Sequence, residues 1–538
     1  MASISISLRS MKDRPALFAL ISVTALIAAL CLAFDPLWET NDDVAMSMIA
    51  HGYGLIAYGS PNLLTSNVLW GYLVRAIPSI NGVLGYSIAT LTVLLLSGAA
   101  ILYFLLRLGV GYLLGLLAVA LLVVRPTLLP QFTVNAGLLT VAAIIGWQVY
   151  ARLGGIGNLA VACLLAFLGY LIRDKEFFLV LGVAMPLLPW RALRELKHMQ
   201  IAFLLLGVAI TSAAVFDRWA YSGPEWQPFF VLAPAQTPLG DFLNFGAGEH
   251  LKQHPEILAN HGYSRNDIDL VANYFSIDPQ IADPKSLNAM LAEMGALPMQ
   301  EGSIQSGFVA LEALFGPVLL PLSLSAFLLI MLMPRWPVAL AWILCLAALF
   351  AMGMMGRPGM LRVYLPLMSM LLITPLMLEQ IRYGARRWMA SLTLLIACAG
   401  NAYLLMPTAW VYKQWSQQFQ KNIHNLPAGP SVSWANSFSF ELAFPVLAND
   451  PHNRSIAFYG LDTFTHAPFS VANTEQMSGR GMLESLRTAT GISLIASPGK
   501  LEMLRIYCRE HMNGQLRGVT TYQAPRLAVQ QVRCAANE

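Results

Sequence analysis

The chain has 538 residues, of which 57% are hydrophobic and only 12% are charged, and its mean hydropathy is +0.58. This composition excludes an ordinary soluble globular protein, in which about 25% of the residues are charged. The formal net charge of +4 comes without a stripe of Lys and Arg, so nucleic acid is excluded as a partner. The sequence predicts a polytopic α-helical membrane protein.

The first apolar segment covers residues 16–34 and is about long enough to cross a hydrocarbon core of roughly 30 Å. It is preceded by Arg9, Lys12 and Arg14. Because basic residues stay on the cytoplasmic side, the N-terminus is predicted to be cytoplasmic. The run is too long for a signal-peptide core and lacks a convincing cleavage site, so we expect it to be retained.

A cluster of polar and acidic residues follows this segment directly, on the predicted outer side: Glu39, Thr40, Asn41, Asp42 and Asp43. A membrane helix does not need these groups in order to span. Asn41 or Asp42 can cap the helix that follows, but two adjacent carboxylates disturb each other's ionisation. The pair therefore favours a catalytic or metal-binding role, and Glu39 and His51 are further candidates for the same cleft.

About eleven apolar segments are predicted to span the membrane. They cover residues 16–34, 82–106, 112–124, 132–150, 159–172, 177–190, 201–216, 311–333, 338–355, 361–378 and 390–407. Eleven crossings place a set of basic residues in the cytoplasm, as the positive-inside rule requires. These residues are Arg107, Arg152, Arg191, Arg194, Lys197, Arg335, Arg382, Arg386 and Arg387. The C-terminus is then outside.

Three extramembrane pieces share the predicted outer face, and the chain divides into a transmembrane domain at 1–408 and a C-terminal domain at 409–538. The first two pieces are loops at about 35–81, with short helices at 43–51 and 67–77, and at 217–307. The third is the tail, a predicted small α/β domain with strands at 455–459 and 491–495 and a helix near 481–488.

The tail contains Cys508 and Cys534, which can form a bridge if the compartment is oxidising, and the sequence leaves open whether they do. The other four cysteines fall within predicted spans as apolar fillers.

Six cations lie on the predicted outer side against the insertion bias: Arg75, Arg125, Arg173, Lys175, Arg357 and Arg362. Arg173 and Lys175 alternate with Asp174 and Glu176 at one tight turn. These four residues either neutralise one another or supply cations that converge on a phosphate. Arginine suits a phosphate because its planar fork binds two oxygens at once.

A helix break with Gly and Pro precedes Arg362 and Tyr364, which lie at the outer end of the span at 361–378. One interpretation is a simple turn with an interfacial aromatic anchor. The other is that Arg362 points inward and reaches the same phosphate.

The pattern resembles the GT-C superfamily of integral-membrane glycosyltransferases over about residues 15–407. The resemblance rests on the acidic motif Thr40-Asn41-Asp42-Asp43, on many short spans with outer cations, and on Arg362-x-Tyr364-x-Pro366. Such enzymes include protein O-mannosyltransferases, oligosaccharyltransferases and the aminoarabinose transferases of lipid A. The resemblance implies a GT-C-like fold and a sugar donor carried on polyprenyl phosphate or diphosphate. It also implies that Asp42, or else Asp43, is the base or a metal ligand.

The expected function is transfer of a sugar, a hexose or pentose, from a polyprenyl-phosphate carrier to an acceptor hydroxyl on a glycan, lipid or protein. A carboxylate serves as the base, and Arg125, Arg173, Lys175, Arg362 and Tyr364 bind the lipid phosphate. Single attack on the anomeric carbon inverts its configuration. The expected location is the outer face of a bacterial cytoplasmic (inner) membrane, with a periplasmic C-terminus.

Two questions stay open from sequence. Asp42 and Asp43 could hold Mg²⁺ or Mn²⁺ through oxygen, but no clear third ligand is evident. The alternatives to a transferase are an O-antigen-type polymerase or ligase, to which the large loop at 217–307 is suited, and a transporter or flippase of a lipid-linked saccharide. Sparse charge within the spans and the absence of an evident inverted repeat argue against transport.

Overall fold

The computed structural model describes residues 14–240, 246–295, 303–379, 384–427 and 429–536. Arg9, Lys12 and Arg382, which carry part of the predicted topology, lie outside these ranges.

The first part of the chain is helical, as its long apolar runs predict. Its helices are α1 (Pro15–Phe34), α2 (Asn41–His51), α3 (Val68–Ala76), α4 (Gly85–Arg107), α5 (Tyr112–Leu128), α6 (Phe132–Leu153), α7 (Ile156–Ile172), α8 (Asp174–Val183), α9 (Trp190–Glu195) and α10 (Lys197–Ala220). The short helices predicted in the first extramembrane loop are confirmed as α2 and α3.

A run of short helices follows, and the chain then returns to long apolar ones. The short helices are α11 (Gln227–Gly240), α12 (Ala247–Lys252), α13 (Pro255–Asn260), α14 (Arg265–Ala272) and α15 (Pro284–Met294). The later helices are α16 (Ser303–Glu312), α17 (Leu320–Leu332), α18 (Trp336–Met354), α19 (Leu361–Leu378) and α20 (Ala385–Ile423).

Among the described residues, seven helices are long and apolar enough to cross a membrane, or eight if 303–332, bent by 88°, is one span. The span predicted at 311–333 is broken by this bend, because α16 ends at Glu312 and α17 begins at Leu320. The other predicted spans except 177–190 fall on single helices, of which α5 and α7 are shorter, and the count of eleven stays a prediction. The span predicted at 177–190 is interrupted, because α8 ends at Val183. The prolines at 186 and 189 follow at once, and a proline removes a backbone donor that the helix needs.

The helices differ sharply in burial. The apolar window of α6 is 100% buried, so α6 is the centre of the bundle, whereas the windows of α1, α10, α18 and α20 are 17–28% buried. These four expose Leu, Ile, Val and Trp side chains that a bilayer would cover.

The C-terminal segment folds into a five-stranded sheet with flanking helices, as the tail's pattern predicts. Its elements are β1 (Ser431–Trp434), α21 (Phe440–Ala443), α22 (Pro451–Ser455), β2 (Phe458–Leu461), α23 (Val471–Met477), α24 (Met482–Leu486), β3 (Ile492–Ile495), α25 (Pro498–His511), β4 (Gly514–Ala524) and β5 (Leu527–Ala536). The strand order is β2-β1-β3-β5-β4, with β1 parallel to both neighbours and β5 antiparallel to β3 and β4.

The strand at 491–495 and the helix near 481–488 are confirmed. The strand placed at 455–459 begins later, at Phe458, because Asp450 caps a helical turn at 451–455 by accepting from the His452 backbone N–H. The bridge between Cys508 and Cys534, which the sequence leaves open, is present and joins α25 to β5.

The run α11–α15 and the sheet form one unit, which is called the extramembrane domain after its predicted location. The run α11–α15 and the sheet share one core, in which Phe275 lies 5.4 Å from Trp434 and 4.9 Å from Tyr507 between ring centres. The first loop bonds to the sheet domain through the backbone of Gly54, which accepts from Phe458 N–H at 2.8 Å. Helix α20 continues to Ile423, so the predicted domain boundary at 408 falls inside a helix.

Candidate active site

Asp42 and Arg362 meet where the membrane helices end. Asp42 lies in the first turn of α2, and Arg362 is the second residue of α19. The Arg362 guanidinium contacts Asp42 Oδ2 at 2.6 Å, with the two side chains 29% and 44% exposed. The predicted base and the predicted phosphate ligand therefore form one accessible ion pair.

Asp43 points the other way and is fully buried. Its carboxylate accepts hydrogen bonds from the Tyr86 hydroxyl (3.2 Å), the Phe132 backbone N–H (3.0 Å) and the Thr40 hydroxyl (3.3 Å). Burial raises the pKa of Asp43 well above its usual value, the Asp42 charge raises it further, and these hydrogen bonds oppose the shift. Asp43 thus ties α2 to the starts of α4 and α6, while Asp42 stays in the accessible ion pair with Arg362.

A cavity of about 270 Å³ opens beside the ion pair, and a second of about 210 Å³ adjoins it. The two share Asp42, Tyr274, Asp462 and Thr463 in their walls. Their remaining walls come from α2, α11 and the extramembrane segments near residues 274, 436 and 464. The site therefore lies between the membrane helices and the extramembrane domain.

Asp462 and His466 are wall residues that sequence reasoning missed. Asp462 Oδ1 accepts from the Phe464 backbone N–H at 2.7 Å, and burial raises the pKa of this carboxyl to about 6. His466 Nε2 donates to the Ser276 carbonyl at 2.7 Å, and burial lowers the pKa of the imidazole. The available signal was the polar Asp462-Thr463 pair directly after β2.

Arg173 lies behind the ion pair. It donates to the Thr65 carbonyl at 2.8 Å, lies 5.4 Å from the Phe132 ring centre and interacts electrostatically with Arg362 and Asp42. The neighbouring Glu176 is buried near both arginines, and its Oε1 has no partner among the described residues. Lys175 is exposed, and its ammonium forms no bond with the described part of the chain.

Arg125 is not brought to this site. It forms a buried ion pair with Glu39 at 2.6 Å, and both residues line a separate cavity of about 390 Å³ beside Tyr412, Trp415 and Arg526.

Tyr364 and His51 form hydrogen bonds with backbone groups. The buried Tyr364 hydroxyl donates to the Ala310 carbonyl at 2.9 Å and accepts from the Gly359 N–H at 3.1 Å, so it fixes the turn before Arg362. His51 Nε2 accepts from the Tyr86 N–H at 3.1 Å. Burial, with a smaller contribution from nearby arginines, lowers the pKa of His51 to about 4, so this acceptor is neutral.

Among the residues that the structure describes, no third carboxylate or imidazole lies close enough to share an ion with Asp42 and Asp43. In the described ranges, the side chains that come close enough for this are Asp267, Glu510 and His511 in the extramembrane domain. Asp267 there already completes a capping box with Ser264.

No protein-family model matches the sequence, and no curated protein matches it significantly. Among solved structures, the chain is similar to ArnT from Cupriavidus metallidurans bound to undecaprenyl phosphate. The identity is 12% and the TM-score 0.43, over 97% of this chain and 99% of that one. ArnT from the same organism in the apo state gives 12% identity and a TM-score of 0.40 over the same shares.

Proposed function

We propose that this protein is a GT-C-type glycosyltransferase that moves a sugar from a polyprenyl-phosphate carrier to an acceptor hydroxyl. The reaction takes place at the outer face of a bacterial cytoplasmic membrane. The observation that carries the proposal is the Asp42–Arg362 contact in a cavity at the end of the membrane helices. A carrier lipid leaves its phosphate at this depth, where Arg362 can bind it while the chain stays in the bilayer.

The two side chains supply the two groups that the transfer needs. The acceptor oxygen attacks the anomeric carbon, its proton passes to the Asp42 carboxylate, and the bond from the anomeric carbon to the phosphate oxygen breaks. The electron pair of that bond leaves with the polyprenyl phosphate, whose charge Arg362 stabilises, with Arg173 adding positive potential from behind. One displacement inverts the anomeric centre.

The contact between Asp42 and Arg362 has to open before this reaction. In-line displacement places the attacking and leaving oxygens on opposite sides of the anomeric carbon, so the base and the phosphate-binding cation cannot remain 2.6 Å apart. A donor phosphate competes with Asp42 for the guanidinium, since Arg binds either oxyanion through the same fork. Donor binding therefore releases the base that the reaction requires.

Transfer by the purified protein tests the proposal. We expect the full chain in nanodiscs to release undecaprenyl phosphate from undecaprenyl-phosphate-linked radiolabelled hexoses or pentoses when envelope lipids and glycans are supplied. The activity should need neither an ion gradient nor ATP. A protein that moves these lipids between leaflets of a liposome, but never cleaves the sugar–phosphate bond, would be a transporter instead.

A matched pair of variants makes the test specific. Asp42→Asn should abolish release, whereas Glu195→Gln should not. Glu195 is likewise paired with an arginine, Arg191, but lies on exposed α9 away from the cavity. Equal activity in both variants would contradict the proposed site.

A further inference from the structure

The wall that the extramembrane domain contributes to the cavity has two open hydrogen-bond acceptors. Asp462 Oδ1 is occupied by Phe464 N–H, but Oδ2 has no partner among the described residues. The carbonyl of Ser276 can only accept, so His466 Nε2 carries the ring hydrogen. In the neutral ring, Nδ1 is then an acceptor, and it has no partner in the described part of the chain.

We propose that Asp462 and His466 bind the acceptor of the transfer reaction, and that this acceptor is a neutral or amino-bearing saccharide. This inference rests on the proposed function. Hydroxyl groups donate hydrogen bonds to carboxylate and imidazole acceptors, and a saccharide offers several of them at once. The shared walls place these acceptors in the same space as Asp42, which takes the proton of the attacking hydroxyl.

The charge of the cavity selects against an acidic acceptor. Its charged lining residues, among those described, are Asp42, Asp462 and Arg362, with His466 neutral. A donor phosphate bound at Arg362 adds another negative charge. A second phosphate or carboxylate on the acceptor would therefore enter a cavity whose described lining is net negative and holds no cation besides Arg362. Like charges in such a cleft repel strongly.

Asp462 is suited to recognition because its loop is held rigidly. The Thr465 hydroxyl donates to the Asp462 carbonyl at 2.7 Å, and the Asp462 N–H donates back to that hydroxyl at 3.0 Å. The loop follows β2, whose register with β1 is fixed over four residue pairs. The carboxylate is thus presented from a sheet end, where little conformational freedom is lost on binding.

Saccharide binding to the full chain in nanodiscs tests the inference, with undecaprenyl phosphate added to occupy the lipid site. Saturation-transfer NMR would be run on neutral, amino-bearing, phosphorylated and uronate-bearing oligosaccharides. We expect binding of the first two classes and at least about tenfold weaker binding of the acidic ones. Binding of phosphorylated saccharides as tight as that of their neutral counterparts would overturn the inference.

Variants locate the binding. Asp462→Asn keeps the acceptor for Phe464 N–H, and His466→Gln keeps an amide donor for Ser276, so each removes only the proposed contact. Both should weaken saccharide binding at least about tenfold and raise KM for the acceptor more than they lower kcat, with undecaprenyl phosphate binding unchanged. Glu502→Gln, an exposed carboxylate paired with Arg505 in the same domain, serves as the control.

The outcomes separate the two proposals. Unchanged saccharide binding in both variants sinks this inference and leaves the transferase intact. Selective saccharide binding through Asp462 and His466, without any sugar transfer, would keep the recognition site and defeat the proposed reaction.

Discussion

Asp42 and Arg362 are 320 residues apart in the chain, yet their side chains lie 2.6 Å apart. The pair joins the start of α2 to the start of α19, so the proposed base is paired with the proposed phosphate-binding residue. If the pair takes part in the reaction, its variants should behave differently from variants of a purely structural ion pair.

Asp42→Asn should lower transfer at least about 100-fold, because the amide keeps the size of the side chain but has no basicity. Binding of undecaprenyl phosphate should stay as tight or become tighter, since no carboxylate competes for Arg362. The measurement is a release assay beside a lipid titration. If Asp42→Asn transfers normally and Asp43→Asn does not, the roles of the two carboxylates are reversed.

Arg362→Ala should weaken binding of undecaprenyl phosphate by at least about tenfold, whereas Arg335→Ala should leave it unchanged. Arg335 is a matched control because it also forms an ion pair, with Glu379 at 3.2 Å, on the far side of the predicted topology. Binding of farnesol, which has no phosphate, should be the same in both variants. Equal losses of lipid binding from both arginines would refute the phosphate site.

The topology can be tested by labelling in intact cells. In a background without Cys31, Cys163, Cys345 and Cys398, an Arg265→Cys variant should react with a membrane-impermeant maleimide, and an Arg191→Cys variant should not. Both positions are exposed, and the positive-inside rule places them on opposite sides. The reverse labelling pattern would invert the orientation and remove the site from the outer face.

Reduction of the Cys508–Cys534 bridge should destabilise the C-terminal domain. The bridge closes a loop across a sequence separation of 26, for which chain entropy gives about 3 kcal/mol. A Cys508→Ser/Cys534→Ser double variant should therefore unfold at a lower temperature, measured by Trp fluorescence. An unchanged transition would show that the sheet holds α25 in place unaided.

The sequence identifies site candidates where a charged residue contrasts with its apolar surroundings. Asp42 follows one membrane-length apolar segment and Arg362 lies at the start of another, so each is recognisable as a site candidate. Arg125 gave the same signal, yet it is paired with Glu39 in a different cavity. The sequence indicates that such a cation needs a partner. Which residue becomes that partner is decided by packing between segments that are far apart in the chain.

Asp462 and His466 gave little signal because they lie in a polar segment, where a carboxylate or an imidazole is ordinary. Their importance depends on how the sheet domain packs on Leu55 and Ala57 of the first loop. That packing is set by long-range backbone pairing, which periodicity in one sequence does not reveal. The interruption of the span at 177–190 is predictable from the sequence, since Pro186 and Pro189 mark where a helix cannot continue.

Asp462→Asn should make the protein more stable while it weakens acceptor use. The folded-state pKa of about 6 lies above the ordinary aspartate pKa of 3.8 because the carboxyl is buried, so folding favours the protonated carboxyl. That contribution is complete below about pH 4 and is lost as the pH rises through 6, at a cost of up to about 3 kcal/mol. Asparagine is neutral at every pH and keeps the Phe464 contact.

The gain in melting temperature from Asp462→Asn should therefore be several degrees at pH 7.5 and small at pH 4.5, measured on the full chain in the same detergent. Taking the difference between variant and wild type at each pH cancels the titration of other groups. His51, for example, lowers the stability of the protein in the opposite direction, as the pH falls from about 6.5 to 4. A variant that is destabilised equally at both pH values would show that Asp462 is retained for the fold. A gain in melting temperature confined to high pH would show that the Asp462 charge lowers stability, as expected of a residue retained for binding.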